Sequence, residues 1–275
     1  MVQAFFIVSS GRSGTAMLHK ALSAKPDVEM HHEYAIAMTQ KLGVQRYLGL
    51  IESGEAQAML RQTFGAAVAA SPARLWGDSS NKLSWLIPEL AALFPQARFV
   101  HLARDGRKVA SSYFHKLGAE CYGDIANAAM QAHYDDPAHC PAPPPEKPYW
   151  WPVPRLDAAD AAAFRSYGQF ERIAWHWAEI NRVILSDLSA LPPERSLFVP
   201  LEDLRESPPR VRALYEFLRI PYRDDDFAAF ARPHNVNRPQ DRLLDAAQRA
   251  QFDRIAGGMM LQLGYAGQPE YKVKY

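Results

Sequence analysis

The chain has 275 residues, room for one large α/β domain or two small ones with a sizeable buried core. Hydrophobic residues make up 48% and charged residues 22%, an ordinary balance for a soluble globular enzyme. Lys plus Arg is 31 against 30 for Asp plus Glu, so the basic excess of a nucleic-acid binder is absent and any anion site must be local.

Ala4-Phe5-Phe6-Ile7-Val8 is a continuous apolar run bounded by Ser and Gly, the pattern of a strand buried on both faces. Ala16 to Leu22 predicts a helix ending before Pro26, and residues 46–70 predict an Ala-rich helix. Arg74-Leu75-Trp76 predicts a short strand, and Trp85 to Leu93 a helix stopped at Pro95. Arg98 to Ala103 is a second clear strand, followed by a turn at Asp105-Gly106 and a helix from Lys108 to about Leu117. Strand and helix in this rhythm argue for parallel βαβ units.

Pro137, Pro141, Pro143, Pro144, Pro145, Pro148, Pro152 and Pro154 break the rhythm and predict a long loop over 136–154 carrying Tyr149-Trp150-Trp151. Two readings stand level for it: a lid over an acceptor, or an insertion anchored to the core by its aromatics. Helical spacing returns over Phe164 to Leu188, with Trp175 and Trp177 at its middle. Ser196 to Val199 predicts a third strand, Val211 to Leu218 a helix, and Ala246 to Leu263 a last helix closed by Gly264. No internal repeat or convincing linker divides residues 1–275, so a single domain is expected.

Cys121 and Cys140 could pair but make no disulfide framework, which points to a reduced, cytoplasmic protein. No window approaches the 18 apolar residues of a membrane-spanning helix, and no signal-peptide pattern opens the chain.

Ser9-Ser10-Gly11-Arg12-Ser13-Gly14-Thr15 joins the first strand to the first helix. Glycines there allow positive φ and close backbone approach, so successive N–H groups form a nest at a helix N-terminus. Arg12 offers a planar fork for phosphate or sulfate, and Ser13 and Thr15 offer hydroxyls. The loop of nucleoside triphosphatases needs a Lys before the Ser or Thr; here that place is Gly14, so ATP fits poorly. Arg104 ends the second strand and Ser112 follows on the next helix, which adds a second grip at the same sheet edge. A nucleotide phosphorylated at both ends suits two such grips.

These residues resemble the sulfotransferases that use 3′-phosphoadenosine 5′-phosphosulfate (PAPS). Arg12-Ser13-Gly14-Thr15 resembles their 5′-phosphosulfate loop, and Leu93-Phe94-Pro95, Arg98-Phe99-Val100, Arg104-Asp105-Gly106-Arg107 and Ser112 their 3′-phosphate segment. Leu201-Glu202-Asp203-Leu204 with Ser207-Pro208, and Leu263-Gly264-Tyr265, resemble the family's later motifs. The likeness covers nearly the whole chain, and the branch with protein-tyrosine sulfotransferases and bacterial relatives is the nearest in flavour. It implies a three-layer α/β/α fold with a central parallel sheet, P-loop NTPase-like. It implies transfer of a sulfuryl group to the hydroxyl, or less readily the amine, of a small-molecule or peptide acceptor, yielding 3′-phosphoadenosine 5′-phosphate (PAP).

The resemblance also implies roles. Arg12, Ser13, Gly14 and Thr15 would hold the 5′-phosphosulfate; Arg104 and Ser112 would hold the 3′-phosphate, with Lys116 and Arg232 as further cations near the donor. Glu33 stands where that branch places its catalytic base, and His31 or His32 is the alternative base or an orienter of Glu33. Gly77-Asp78 is followed by Ser79, where the family often has a Lys; either Lys82 substitutes from a shifted turn, or Arg12 acts alone. Leu201 replaces an aromatic that often precedes Glu-Asp-Leu. His31-His32-Glu33 is spaced too tightly for a helical zinc pattern, so no metal is expected. No nucleic acid or integral membrane segment is expected, and a homodimer stays open. An ATP phosphotransferase and a non-catalytic nucleotide-binding module are the competing readings.

Overall fold

The computed structural model describes residues 2–231 and 242–271. Its centre is a sheet of β1 (Gln3–Ser9), β2 (Val28–His32), β3 (Leu75–Ser79), β4 (Arg98–Ala103) and β5 (Ser196–Pro200), ordered β2-β3-β1-β4-β5 with every pairing parallel. β1 is the middle strand, and its Phe6 lies opposite Asp78 of β3 on one side and Phe99 of β4 on the other. A middle strand needs both faces apolar, which Phe5, Phe6, Ile7 and Val8 supply by being almost fully buried.

Alternation along the strands builds two cores. Phe6, Val8, Trp76 and Phe99 pack beneath helices Gly106–Leu117, Gln169–Ser189 and Ala246–Gln262, through Val109, Trp177, Ile180 and Phe252. Phe5, Ile7, Leu75, Val100 and Leu102 face helices Thr15–Ser23 and Pro208–Phe217, through Met17, Leu18, Leu22, Val211 and Leu214. The result is the expected three-layer α/β/α arrangement around a parallel sheet. All five strands therefore end at the same edge, and the segments that follow them meet there.

β1, β4, β5 and helix Ala246–Gln262 fall within a residue of the positions read from sequence, while helix Pro208–Phe217 begins three residues before the expected Val211. β2 was not foreseen, because an edge strand written Val-Glu-Met-His-His carries polar residues at alternate positions. The short strand at Arg74-Leu75-Trp76 runs on instead through Gly77, Asp78 and Ser79, all buried. The helix expected over 46–70 divides: Ile36–Tyr47 ends inside it, and Ser53–Leu60, a π-turn at Arg61–Gly65 and Ala66–Ala70 follow. Asp124–Asp135 is a helix that the periodicity reading passed over.

Residues 136–154 are irregular apart from a 3₁₀ turn at Lys147–Tyr149. Trp150 and Trp151 are buried, and their indole N–H groups donate to the Pro144 and Glu120 carbonyls, each at 2.8 Å. The aromatics of this loop thus anchor it. Trp175 and Trp177 are core residues, and Cys121 and Cys140 are unpaired. Among the described residues no helix is long and apolar enough to cross a membrane.

Gly77 tests the strand packing. A Cβ there would stand 2.1 Å from the Phe5 ring, inside a layer with no room to give. Gly77→Ala is expected to cost about 1–3 kcal/mol, read as a lowered midpoint in urea unfolding; an unchanged midpoint contradicts the packing described.

Candidate active site

The chain leaves β1 through a loop whose backbone is left-handed at Gly11 (φ 80°), Arg12 (φ 55°) and Gly14 (φ 93°). A left-handed conformation costs a non-glycine residue about 1–2 kcal/mol, so the surroundings must hold Arg12 in place. They do. Ser84 Oγ accepts the Ser9 N–H at 3.0 Å and donates to the Ser9 carbonyl at 2.9 Å. Tyr113 Oη donates to the Ser10 carbonyl at 2.9 Å. Ser13 Oγ donates to the Gly11 carbonyl at 2.9 Å, so its hydroxyl is turned into the loop. A Cβ at Gly11 would stand 2.0 Å from Tyr113 Oη, and one at Gly14 would stand 2.6 Å from Leu201. No side chain caps helix Thr15–Ser23, whose first turn carries no acidic residue. That end offers its amide dipoles to an anion.

Arg104, at the end of β4, donates through Nη1 to the Arg12 carbonyl at 2.8 Å. Arg12 Nε in turn donates to Ser112 Oγ at 3.0 Å. The two grips read from sequence are thus one contiguous cluster, and Lys116 lies within electrostatic reach of both arginines. Burial and then Arg12 and Arg104 lower the Lys116 pKa, while burial chiefly, and Arg12 in part, lower that of Arg104. Among the described residues none of these three cations forms an ion pair, although Glu202 lies within electrostatic reach of Arg104. Cations crowded together without bonded counter-ions form a site for an anion. Arg232 lies outside the described residues.

Residues that the sequence reading named only as parts of motifs, without a role, brace this cluster. Glu202 accepts the Asp105 N–H at 3.1 Å and the Tyr265 hydroxyl at 3.0 Å, so the two late motifs converge on the Arg104-Asp105 turn. Asp105 caps helix Gly106–Leu117 by accepting the Arg107 N–H at 3.0 Å. The Glu-Asp-Leu match was the one signal for Glu202, and nothing in the sequence singles out Tyr113.

On the other half of the edge, β2 runs into Glu33, which is left-handed at φ 59°. Its backbone N–H donates to the Ser79 carbonyl at 3.1 Å, and the next N–H, of Tyr34, donates to Asp78 Oδ1 at 3.2 Å. Glu33 is half-buried and lies within electrostatic reach of Asp78, Lys82 and Tyr113; Tyr113 is also within reach of Arg12. The base candidate and the anion loop are therefore neighbours across one phenol ring. His32 Nδ1 is 2.9 Å from the Ser79 carbonyl, which accepts its N–H, and this bond fixes the ring against the end of β3. His31 turns to Glu29 at 2.9 Å and stacks on Trp76, away from Glu33.

Lys82 is 6% exposed, and its ammonium lies 5.2 Å from the centre of the Trp151 ring. Burial pushes its pKa down to about 8, against the pull of Glu33. Asp78 is fully buried, with Oδ2 unpartnered, and burial pushes its pKa up to about 7, with Glu33 adding to the rise. Among the described residues no group of His, Cys, Asp and Glu is arranged to hold a metal.

Residues 4–145 match the model of the family described as the sulfotransferase family. The fold is similar to a sulfotransferase from Mycobacterium avium at TM-score 0.55 and 11% identity, over 98% of this chain and 79% of that one. It is similar to a sulfotransferase from Alicyclobacillus acidocaldarius at TM-score 0.52 and 13% identity, over 96% of each chain. A sulfotransferase domain of the Synechococcus PCC 7002 olefin synthase gives TM-score 0.51 at 16% identity, over 100% of this chain and 96% of that one. No curated protein matches the chain.

The Asp78 carboxyl gives a stability test with a definite sign. The folded state holds its proton to about pH 7, whereas an unfolded Asp releases it near 3.8. Between those values the native state binds more protons, so its stability falls as pH rises. Asp78→Asn removes the titration, and its melting temperature should gain on the wild type as pH rises from about 4 to about 7 and hold a constant lead above that. A constant difference between about pH 4 and about pH 7 would refute the assignment.

Proposed function

The chain belongs to the sulfotransferase family, and from that premise we propose that it carries a sulfuryl group from PAPS to an acceptor hydroxyl. The observation that supports the donor is the cluster of Arg12, Arg104 and Lys116, which lack ion-pair partners among the described residues, beside the uncapped end of helix Thr15–Ser23. Those residues fit a donor with phosphate at both ends. The loop 11–15 with Arg12 takes the 5′-phosphosulfate, and Arg104, Ser112 and Lys116 take the 3′-phosphate. The buried, unpartnered Nε of Arg104 has a hydrogen bond to give. Arg232 is the further cation that the resemblance adds.

PAPS supplies an electrophilic sulfur with a phosphate leaving group. Transfer forms one S–O bond to the acceptor oxygen and breaks the S–O bond to the 5′-phosphate, and the acceptor's proton passes to the Glu33 carboxylate. The protein's work is alignment and charge stabilisation, as in phosphoryl transfer. Arg12 and the loop amides meet charge on the leaving phosphate. Lys82, within electrostatic reach of Glu33, meets charge on the transferring group, in place of the cation absent at Ser79. His32, tied to Ser79, orients the Glu33 turn. The acceptor is a small molecule or a peptide, and residues 1–275 work as one catalytic domain with 136–154 as its aromatic wall.

Adenosine 3′,5′-bisphosphate should raise the melting temperature, while ATP–Mg²⁺ should not; the reverse overturns the donor reading. Arg12→Ala and Arg104→Ala should each weaken bisphosphate binding about 10- to 100-fold, the worth of a lost charged hydrogen bond. Glu33→Gln should keep that affinity and lower kcat about 10²- to 10⁴-fold, and full turnover would remove Glu33 as the base. Lys82 carries its charge below about pH 8. The donor kcat/KM should therefore fall as pH rises through that value, and Lys82→Met should abolish the descending limb.

A further inference from the structure

Asp78 has features that sulfuryl transfer does not use directly. It sits at the carboxyl end of β3, opposite Phe6 of β1 and His31 of β2, and is 0% exposed. Burying a carboxyl in a sheet interior is costly, and its Oδ2 has no partner at all. Its other oxygen accepts the Tyr34 N–H at 3.2 Å, the residue directly after Glu33. Glu33 and Ala35 are both left-handed, at φ 59° and 52°, a conformation neither side chain favours. Two bonds to consecutive residues of β3 hold that turn: Glu33 N–H to the Ser79 carbonyl, and Tyr34 N–H to Asp78. Helix Ile36–Tyr47 holds the far side of the turn, where the Met38 and Thr39 N–H groups donate to the Ala35 carbonyl, each at 3.0 Å, so the Glu33 side rests on the two bonds to β3.

We propose that Asp78 is a positioning residue for the base: its Oδ1, by accepting the Tyr34 N–H, holds the Glu33 turn in its left-handed form and aims the carboxylate at the acceptor hydroxyl. This rests on the reading of Glu33 as the base. Asp78 touches neither donor nor acceptor, and its whole effect on turnover passes through Glu33. A local polar bond of this kind suits the task, because a misplacement of about 1 Å at a reacting group can cost about 100-fold in rate.

A mutant cycle separates the two readings. Asp78→Ala should lower kcat about 10- to 100-fold while leaving the dissociation constant for adenosine 3′,5′-bisphosphate within about twofold. Asp78→Leu, which fills the space but accepts no hydrogen bond, should behave alike and serves if the Ala variant does not fold. Asp78→Asn keeps an acceptor oxygen and should restore most of the lost turnover. In the Glu33→Gln background, Asp78→Ala should cause no further loss. A loss that multiplies with that of Glu33→Gln overturns the proposal, as does bisphosphate affinity falling in step with kcat, or Asp78→Asn performing no better than Asp78→Ala. Full activity in Glu33→Gln alone instead overturns the base assignment on which the proposal stands.

Discussion

The left-handed backbone at Gly11, Arg12 and Gly14 is the constraint on which the rest of the site depends. Tyr113 and Leu201 occupy the space that side chains at positions 11 and 14 would need, so only glycine fits there. Tyr113 comes from the helix after β4 and Leu201 from the segment after β5. The loop after β1 is thus moulded by elements that reach it only when the parallel sheet has formed. This is pre-organisation in a literal sense: the nest is shaped by tertiary packing before any anion arrives, and binding need not supply the ordering.

The same packing decides which charges meet. Overall the chain is almost neutral, at a formal net charge of +1. The strand order β2-β3-β1-β4-β5 nevertheless places Glu33 and Asp78 on the ends of β2 and β3, and Arg12 and Arg104 on the ends of β1 and β4. Glu33 and Asp78 thus stand on one half of the edge and Arg12 and Arg104 on the other, where Asp105 and Glu202 brace the Arg104 turn. Lys82, just past β3, lies within electrostatic reach of Glu33. A sulfuryl transfer needs that polarity, with an anion held at one end of the reaction axis and a proton taken up at the other.

Much of this was legible in the sequence, and what was not has physical causes. β1 and β4 announce themselves because strands buried on both faces are unbroken apolar runs. Arg12, Arg104 and Glu33 sit at strand ends or directly after them, where sequence position translates into place on the edge, and Ser112 lies midway along the helix after β4; their roles came from the family resemblance. β2 escaped because its alternate residues, Glu29, His31 and His32, are polar. Asp78 escaped for the opposite reason: a carboxyl inside a strand reads as a turn, and only the sheet shows that it is buried beside Glu33. The aromatic loop stood level between two readings, and the buried indoles of Trp150 and Trp151 decide for anchoring. Even so, Trp151 lies under the Lys82 ammonium, so the anchor also forms part of the site's wall.

Asp78 and Lys82 share a feature that explains why no pattern in the sequence could weigh them. Each is a buried ionisable group whose charged form the fold disfavours, Asp78 upward to about 7 and Lys82 downward to about 8. Neither helps the protein to fold, since an apolar residue of similar size would pack there at lower cost. Both lie within electrostatic reach of Glu33. A sequence under selection for stability alone would replace them, and their presence marks where stability has been given up. Burial weakens the screening of the Lys82 ammonium by water, which strengthens its pull on Glu33 relative to an exposed pair. Glu33 thus lies between a carboxyl that accepts the N–H of the next residue and a buried ammonium within electrostatic reach, and its left-handed turn is held by bonds to the end of β3.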